Sequence, residues 1–328
     1  MDAQNIFLDC NSLPKVCNIS RINFKVSSLI LTMSDFKPTK SDDRYFSELL
    51  PVLIGIGPNG ELLAYGTCFI AMPHLAVTAK HVFEEILAKD PGLAIGGAKF
   101  EYWIVQVVWD EITGHDYVVW TIDSAAYSPH SDIAVIWLRS WNDSAERYKA
   151  WKVVPITFEL PAISSAITAF GIHDVKFDGS RVGIDGKFEH IEFKSERSIS
   201  TGIVKAHFPN GRDQVLLPFP CFEVDAKFES GMSGGIVIND KSQVCGIVCS
   251  SLHATNEDEE HVSYVTLLWP IMAIPVRAGL LVEGGGTEYQ GHRIKDLAIQ
   301  GKFSPVGWQK VLIDDQLSKG GALTIQYI

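Results

Sequence analysis

Long apolar runs are missing from this chain. The longest, Leu49 to Gly57 and Ser164 to Gly171, fall well short of the roughly 20 residues a membrane-crossing helix needs, so no transmembrane helix is expected. Positive charge is scarce: 28 Lys and Arg stand against 39 Asp and Glu, and a net charge of −11 disfavours phosphate backbones and anionic lipid surfaces. Neither nucleic acid nor a membrane is an expected partner. Cysteine is also sparse. Cys10, Cys17, Cys68, Cys221, Cys245 and Cys249 are too few for a disulfide scaffold, and several lie in apolar runs where a thiol packs as a small hydrophobe. No second Cys or His pair at finger spacing accompanies Cys245 and Cys249, so core packing is expected of them, with no metal and no other cofactor. The opening Met-Asp-Ala-Gln-Asn has no basic region of the secretory kind, and no small-residue cleavage site follows the apolar stretch Val26 to Met33. Together with the cysteine usage, this suggests a cytoplasmic, reducing setting. No 20- to 50-residue repeat is visible, which excludes solenoids and propellers.

What is present is apolar residue in quantity, 46% of 328 positions, arranged in short β-rich runs. Strands are expected at Val52–Ile56, Leu62–Ala71, Leu75–Thr78, Phe100–Trp109, Tyr117–Ile122, Ile133–Leu138, Ala166–Phe170, Lys187–Phe193, Gln214–Pro218, Gly235–Ile238, Val244–Cys249 and Val262–Leu268. Turn signals at Pro58-Asn59-Gly60, Asp178-Gly179, Asp185-Gly186, Pro209-Asn210-Gly211 and Asn239-Asp240 separate them and favour barrels or sandwiches over βαβ units. The one clear early helix is His81–Lys89, with Phe83, Ile86 and Leu87 on one face. After Gly284-Gly285-Gly286 comes an amphipathic stretch, Val306 to Leu317, expected to be a structural extension or a partner surface.

The strongest local signal is Glu229-Ser230-Gly231-Met232-Ser233-Gly234-Gly235. Glycines around a serine permit a tight turn with converging N–H groups and leave room for a carbonyl beside the hydroxyl, so Ser233 is a candidate nucleophile. The segment also fits G-x-S-x-G, but the nucleophile elbow needs a helix after the serine, and apolar strand patterns follow here instead. His253, Asp258 and His261 lie downstream, in or beside the acidic run Asn256–Glu260, and read as a solvated loop.

A histidine and an aspartate precede the serine. Val77-Thr78-Ala79-Lys80-His81 ends an apolar strand at a histidine, behind Gly66-Thr67-Cys68-Phe69-Ile70-Ala71. Ser131-Asp132-Ile133-Ala134-Val135-Ile136 puts a carboxylate at the mouth of a buried strand, where it can accept an imidazole N–H or simply start the strand.

With T-A-x-H, D-I-A-V and G-x-S-G-G blocks in that order, the chain resembles the chymotrypsin-fold (trypsin-like) serine peptidases of bacterial type, over about residues 50 to 275. The resemblance implies a mostly β protein of two antiparallel six-stranded β-barrels with N- and C-terminal extensions, divided as 1–48, 49–145, 146–275 and 276–328. It also implies a serine endopeptidase acting through an acyl-enzyme: Ser233 attacks, His81 carries the proton, Asp132 orients His81, and the Gly231 and Ser233 amides form the oxyanion hole. The expected partner is a protein or peptide substrate, with the extensions open to a regulatory protein. Two departures matter. Met232 stands where secreted animal members carry an aspartate paired with a cut amino terminus, and Val82 stands where a disulfide cysteine would follow the histidine. By family position Lys227, Ser230 and Ser251 would line the primary pocket; with a lysine near its base, cleavage after Lys or Arg is not expected, and an acidic, small polar or apolar side chain is. A catalytically silent binding module and an esterase using the same site are the competing readings.

Overall fold

The computed structural model describes residues 23–25, 48–95, 97–108, 116–128, 131–140, 154–182, 188–252, 261–282, 286–314 and 324–328. A short strand, β1 (Asn23–Lys25), precedes the first barrel, which is built from β2 (Val52–Ile56), β3 (Leu62–Thr67), β4 (Phe69–Met72), β5 (Leu75–Thr78), β6 (Glu101–Val108), β7 (Asp116–Tyr127) and β8 (Ala134–Ser140). Their order is β3-β2-β6-β7-β8-β5-β4, so the two ends of the sheet, β3 and β4, are neighbours in sequence with only Cys68 between them. The run expected as one strand, Leu62–Ala71, is broken there. It pairs with β2 on one side of Cys68 and with β5 on the other, which nearly closes the barrel.

The barrel interior explains why these sequences choose strands. All five residues of β2 are buried, as are Leu75–Thr78 and both Trp103 and Trp120, so each strand covers apolar surface on more than one side. Gln106 is a polar side chain buried among them. Gln106 accepts the Trp120 indole N–H at 3.0 Å and donates to the Glu48 carbonyl, and satisfying both ends offsets the cost of desolvating an amide. The helix α1 (Lys80–Lys89) packs Val82, Phe83 and Ile86 inward and carries i,i+4 ion pairs Lys80–Glu84 (3.2 Å) and Glu85–Lys89 (2.8 Å) on its exposed face. Those surface pairs contribute only about 0.3–0.5 kcal/mol each; the buried face decides the helix.

The second barrel comprises β9 (Ala166–Val182), β10 (Phe188–Phe208), β11 (Cys221–Val224), β12 (Ile236–Asn239), β13 (Val244–Leu252) and β14 (Val262–Leu267). The order β10-β11-β14-β13-β12-β9 with a β9–β10 pairing closes it at six strands. Strands β9 and β10 are far longer than the expected Ala166–Phe170 and Lys187–Phe193, since they continue past the barrel as a paired hairpin, and β1 adds in parallel to its edge at His190–Glu192. Asp178-Gly179, expected as a turn, therefore falls inside β9; Asp185-Gly186 lies outside the described residues.

Gln214–Pro218 is not a strand. Asp213 Oδ1 accepts the N–H groups of Val215 (2.9 Å) and Leu216 (2.6 Å), a side-chain turn that competes with strand pairing, and the strand that enters the barrel is β11. Beyond residue 275 come the hairpin β15 (Pro275–Val282) and β16 (Gly286–Arg293), helix α2 (Ile294–Ile299), and the pair β17 (Val311–Asp314) and β18 (Thr324–Tyr327). Ile294, Leu297, Phe303 and Val311 are buried in the same core as the barrels, so this stretch is packed structure. The amphipathic run from Val306 forms a 3-10 turn at Trp308–Lys310 and then β17, its start tied by the Phe158 N–H to Val306 carbonyl bond at 2.9 Å to the segment that bridges to Val244 of β13 through Ile156.

Candidate active site

β5 ends at Thr78, whose hydroxyl donates to the Thr67 carbonyl at 2.8 Å; Ala79 is extended and α1 begins at the next residue. This delivers His81 in the first turn of α1, at the wall between the barrels. Asp132 lies just before β8 and is only 5% exposed. Its Oδ1 accepts the His81 backbone N–H at 3.0 Å, while the imidazole Nδ1 lies 2.9 Å from Oδ2 and 3.1 Å from Oδ1. An ionised carboxylate can only accept, so the network assigns the proton to Nδ1 and leaves Nε2 as the free base. The His81 side chain is 44% exposed. Burial alone would lower its pKa, but the hydrogen bond and charge of Asp132, with Glu84 and Glu85 beyond, hold it above the ordinary histidine value.

A third group meets the carboxylate. The ligand atoms of His81, Asp132 and Cys249 all lie within 4.8 Å of one another. Burial, together with the negative charge of Asp132, pushes the Cys249 thiol well above its usual range, so it stays a neutral thiol beside the carboxylate. These donor types can bind zinc in other settings. Here Nδ1 and the Asp132 carboxylate are already engaged with each other by hydrogen bonding. Sequence reading placed Cys249 in the core and missed this contact; a register shift in β13 between Val248 and Ser250 marks where it sits.

Ser233 sits in a loop folded back on itself, with Met232 N–H donating to the Glu229 carbonyl (3.1 Å) and Gly235 N–H to the Met232 carbonyl (2.8 Å). Gly231 and Gly234 have φ of +94° and +82°, and a Cβ on Gly234 would stand 2.2 Å from the Thr67 carbonyl oxygen. Only glycine fits both demands. The Ser233 hydroxyl donates to the Cys249 carbonyl at 3.4 Å. Among the described residues, neither the Gly231 nor the Ser233 N–H has a hydrogen-bond acceptor. The segment following the loop is strand β12, so the elbow arrangement is absent.

His81, Gly231 and Ser233 open onto one cleft of about 360 Å³, also lined by Tyr65, Glu85, His173 and Ser230. Ile172 to Val175 of β9 form part of its wall, a contribution the sequence does not announce because β9 reads as ending at Phe170. Of the expected pocket residues, Ser230 lines this cleft, whereas Lys227 Nζ lies 2.7 Å from Glu229 Oε1 in a half-exposed ion pair. Ser251 is on β13 opposite Ser263, and its side chain lies outside the described residues. Of the downstream candidates, His261 directly precedes β14, and His253 and Asp258 lie outside the described residues.

The sequence profile of the trypsin-like peptidase domain matches residues 66–247, more than half the chain. Among solved structures, the Rv3671c protease of M. tuberculosis in its active form is 15% identical, with 77% of this chain and 89% of that chain covered and a TM-score of 0.40. Its inactive form is also 15% identical, covering 72% and 93% with a TM-score of 0.38. Among curated proteins, none matches. The matched span contains both His81 and Ser233, and it runs through two antiparallel barrels meeting at their cleft; this chain belongs to the trypsin-like peptidase domain family and is a chymotrypsin-fold serine peptidase.

Proposed function

We propose that the chain is a serine endopeptidase in which Ser233, His81 and Asp132 act as one unit through an acyl-enzyme. The observation that carries this reading is the paired grip of Asp132 on His81, at 3.0 Å to its backbone and 2.9 Å to its ring, with Nε2 left free toward the cleft that holds Ser233. A serine hydroxyl is a weak nucleophile until a base takes its proton. The 3.4 Å contact of Ser233 with the Cys249 carbonyl is long, so turning the hydroxyl toward His81 costs little. As Oγ attacks the scissile carbonyl, His81 Nε2 accepts the proton and Asp132 stabilises the imidazolium formed. The carbonyl oxygen becomes an anion, for which the free Gly231 and Ser233 N–H groups are the available donors. His81 then protonates the leaving amine, and water repeats the sequence to release the acid and restore Ser233.

The Lys227–Glu229 ion pair favours a primary pocket without a free cation, so the acyl-side preference falls to small polar or apolar side chains. The free, buried thiols of Cys68, Cys221, Cys245 and Cys249 support the cytoplasmic, reducing setting. We keep residues 1–48 and the surface of 276–328 as the places where a regulatory protein would bind. The test is turnover of an unfolded protein substrate. Wild type should cleave within the chain, while Ser233→Ala and His81→Ala, folded normally, should each lose on the order of 10⁶ in rate. Ester hydrolysis with no peptide cleavage would favour the esterase reading, and a fully active Ser233→Ala would end the proposal.

A further inference from the structure

The loop that carries Ser233 belongs to the second barrel, yet a residue of the first barrel holds it. Thr67, the last residue of β3, is fully buried and reaches the loop with both its backbone and its side chain. Its N–H donates to the Ser233 carbonyl at 3.1 Å. Its hydroxyl accepts the Ile172 N–H at 2.8 Å and lies 3.2 Å from the carbonyl oxygens of both Gly231 and Ile172. Among the described residues no other group donates to the Gly231 carbonyl. Its own carbonyl accepts the hydroxyl of Thr78, at the end of β5 just ahead of His81, at 2.8 Å, which fixes the residue from behind.

These contacts pin the Gly231 and Ser233 carbonyls, and the peptide between them is the one whose N–H is the Ser233 donor of the proposed oxyanion hole. From the opposite side Met232 is fully buried, its Cβ and Cγ so close to Gly171 that a Cβ there would stand 2.7 Å away, and its Sδ accepts the Glu229 N–H at 3.2 Å. No carboxylate is available at position 232 to anchor the loop by an ion pair.

We infer that Thr67 is a positioning residue for catalysis: its hydroxyl, working against the buried Met232, sets the oxyanion loop in its working conformation without charge. This rests on the role of Ser233 proposed above. The chemical reason is that oxyanion donors act only when aimed in advance at the position the developing charge will take, and a misplacement of about 1 Å can cost 10²-fold. A hydroxyl is what the place requires, since it must accept one N–H and donate to a carbonyl with a single atom. Valine has the same shape and can do neither.

The experiment uses the full chain and a fluorophosphonate, whose phosphonylation of serine builds a tetrahedral oxyanion, with inactivation resolved into kinact and KI. Thr67→Val should lower kinact by roughly 10- to 100-fold with KI nearly unchanged, and Thr67→Ser should restore kinact to within about threefold of wild type. The acidic limb of the pH profile should stay in place in both, because His81 and Asp132 are untouched. If Thr67→Val fails to fold, Thr67→Ala replaces it against Thr67→Ser with the same expectation. Wild-type kinact in a folded Thr67→Val or Thr67→Ala, an effect on KI alone, an equal defect in Thr67→Ser, or loss of folding in both Thr67→Val and Thr67→Ala would overturn the inference. Wild-type protein that reacts no faster than Ser233→Ala would overturn the triad itself, so the two failures read differently.

Discussion

Asp132 holds His81 at two points: its Oδ1 accepts the backbone N–H at 3.0 Å while Nδ1 lies 2.9 Å from Oδ2. The backbone contact fixes where the first turn of α1 sits, and the ring contact fixes the tautomer. One buried carboxylate thus sets both the position and the tautomer of His81, the proposed base. Asp132→Asn keeps the shape but can present an N–H to Nδ1, which favours the wrong tautomer. The expected result is a fall in kcat of roughly 10⁴ with little change in KM, measured on any substrate the wild type cleaves. A fall of less than tenfold would remove Asp132 from the mechanism.

His81 must be neutral to accept a proton, and its pKa is held above the ordinary histidine value: burial opposes the charge, but Asp132, Glu84 and Glu85 outweigh it. The acidic limb of kcat/KM should therefore have its midpoint above that of an ordinary histidine, and Glu84→Gln with Glu85→Gln should move it down. The same interactions stabilise the fold while His81 is charged. That contribution is complete below the unfolded value and is lost as pH rises through the folded one. A pH series of kcat/KM and thermal midpoint checks both signs.

Burial pushes the thiols of Cys68, Cys221 and Cys245 up to about 12, and burial together with the charge of Asp132 holds the Cys249 thiol well above its usual range. Iodoacetamide at neutral pH should leave these positions unmodified in the native protein, and millimolar reductant should leave activity and thermal midpoint unchanged. Peptide mapping after alkylation reads this out directly; rapid modification of Cys249 with loss of activity would contradict it.

Gly234→Ala puts a methyl group about where the Thr67 carbonyl oxygen already sits, at 2.2 Å, on a backbone with φ of +82°. Backbone strain of this kind costs about 1–3 kcal/mol before the clash is counted, so the variant should lose thermal stability and nearly all turnover together. Lys227→Ala is the contrasting case. Its cation is paired with Glu229 at 2.7 Å, and removing it should leave the ranking of acyl-side residues in a peptide-library screen unchanged. A gain of cleavage after Lys or Arg would place Lys227 in the pocket after all.

Much of the fold was legible because barrel strands bury residues on more than one side and so read as short apolar runs. Val52–Ile56 and Leu75–Thr78 appear where their composition puts them. The hairpin of β9 and β10 was not legible past Phe170, because outside the barrel it loses its apolar pattern and is held by pairing with the other arm. Gln214–Pro218 misled because the Asp213 side chain supplies the hydrogen bonds a strand partner would have given. At the site, His81, Asp132 and Ser233 announce themselves through strand ends and glycines. Thr67 and Cys249 do not, since what brings them to the site is contact across the barrels, which no local pattern encodes.

The central claim is that Ser233 is activated by His81, and covalent labelling tests it most directly. Purified protein treated with a fluorophosphonate should gain the mass of one adduct, mapped by peptide sequencing to Ser233, with the adduct absent in Ser233→Ala and formed far more slowly in His81→Ala. Labelling at another residue, or labelling of Ser233 at the same rate without His81, would contradict the account.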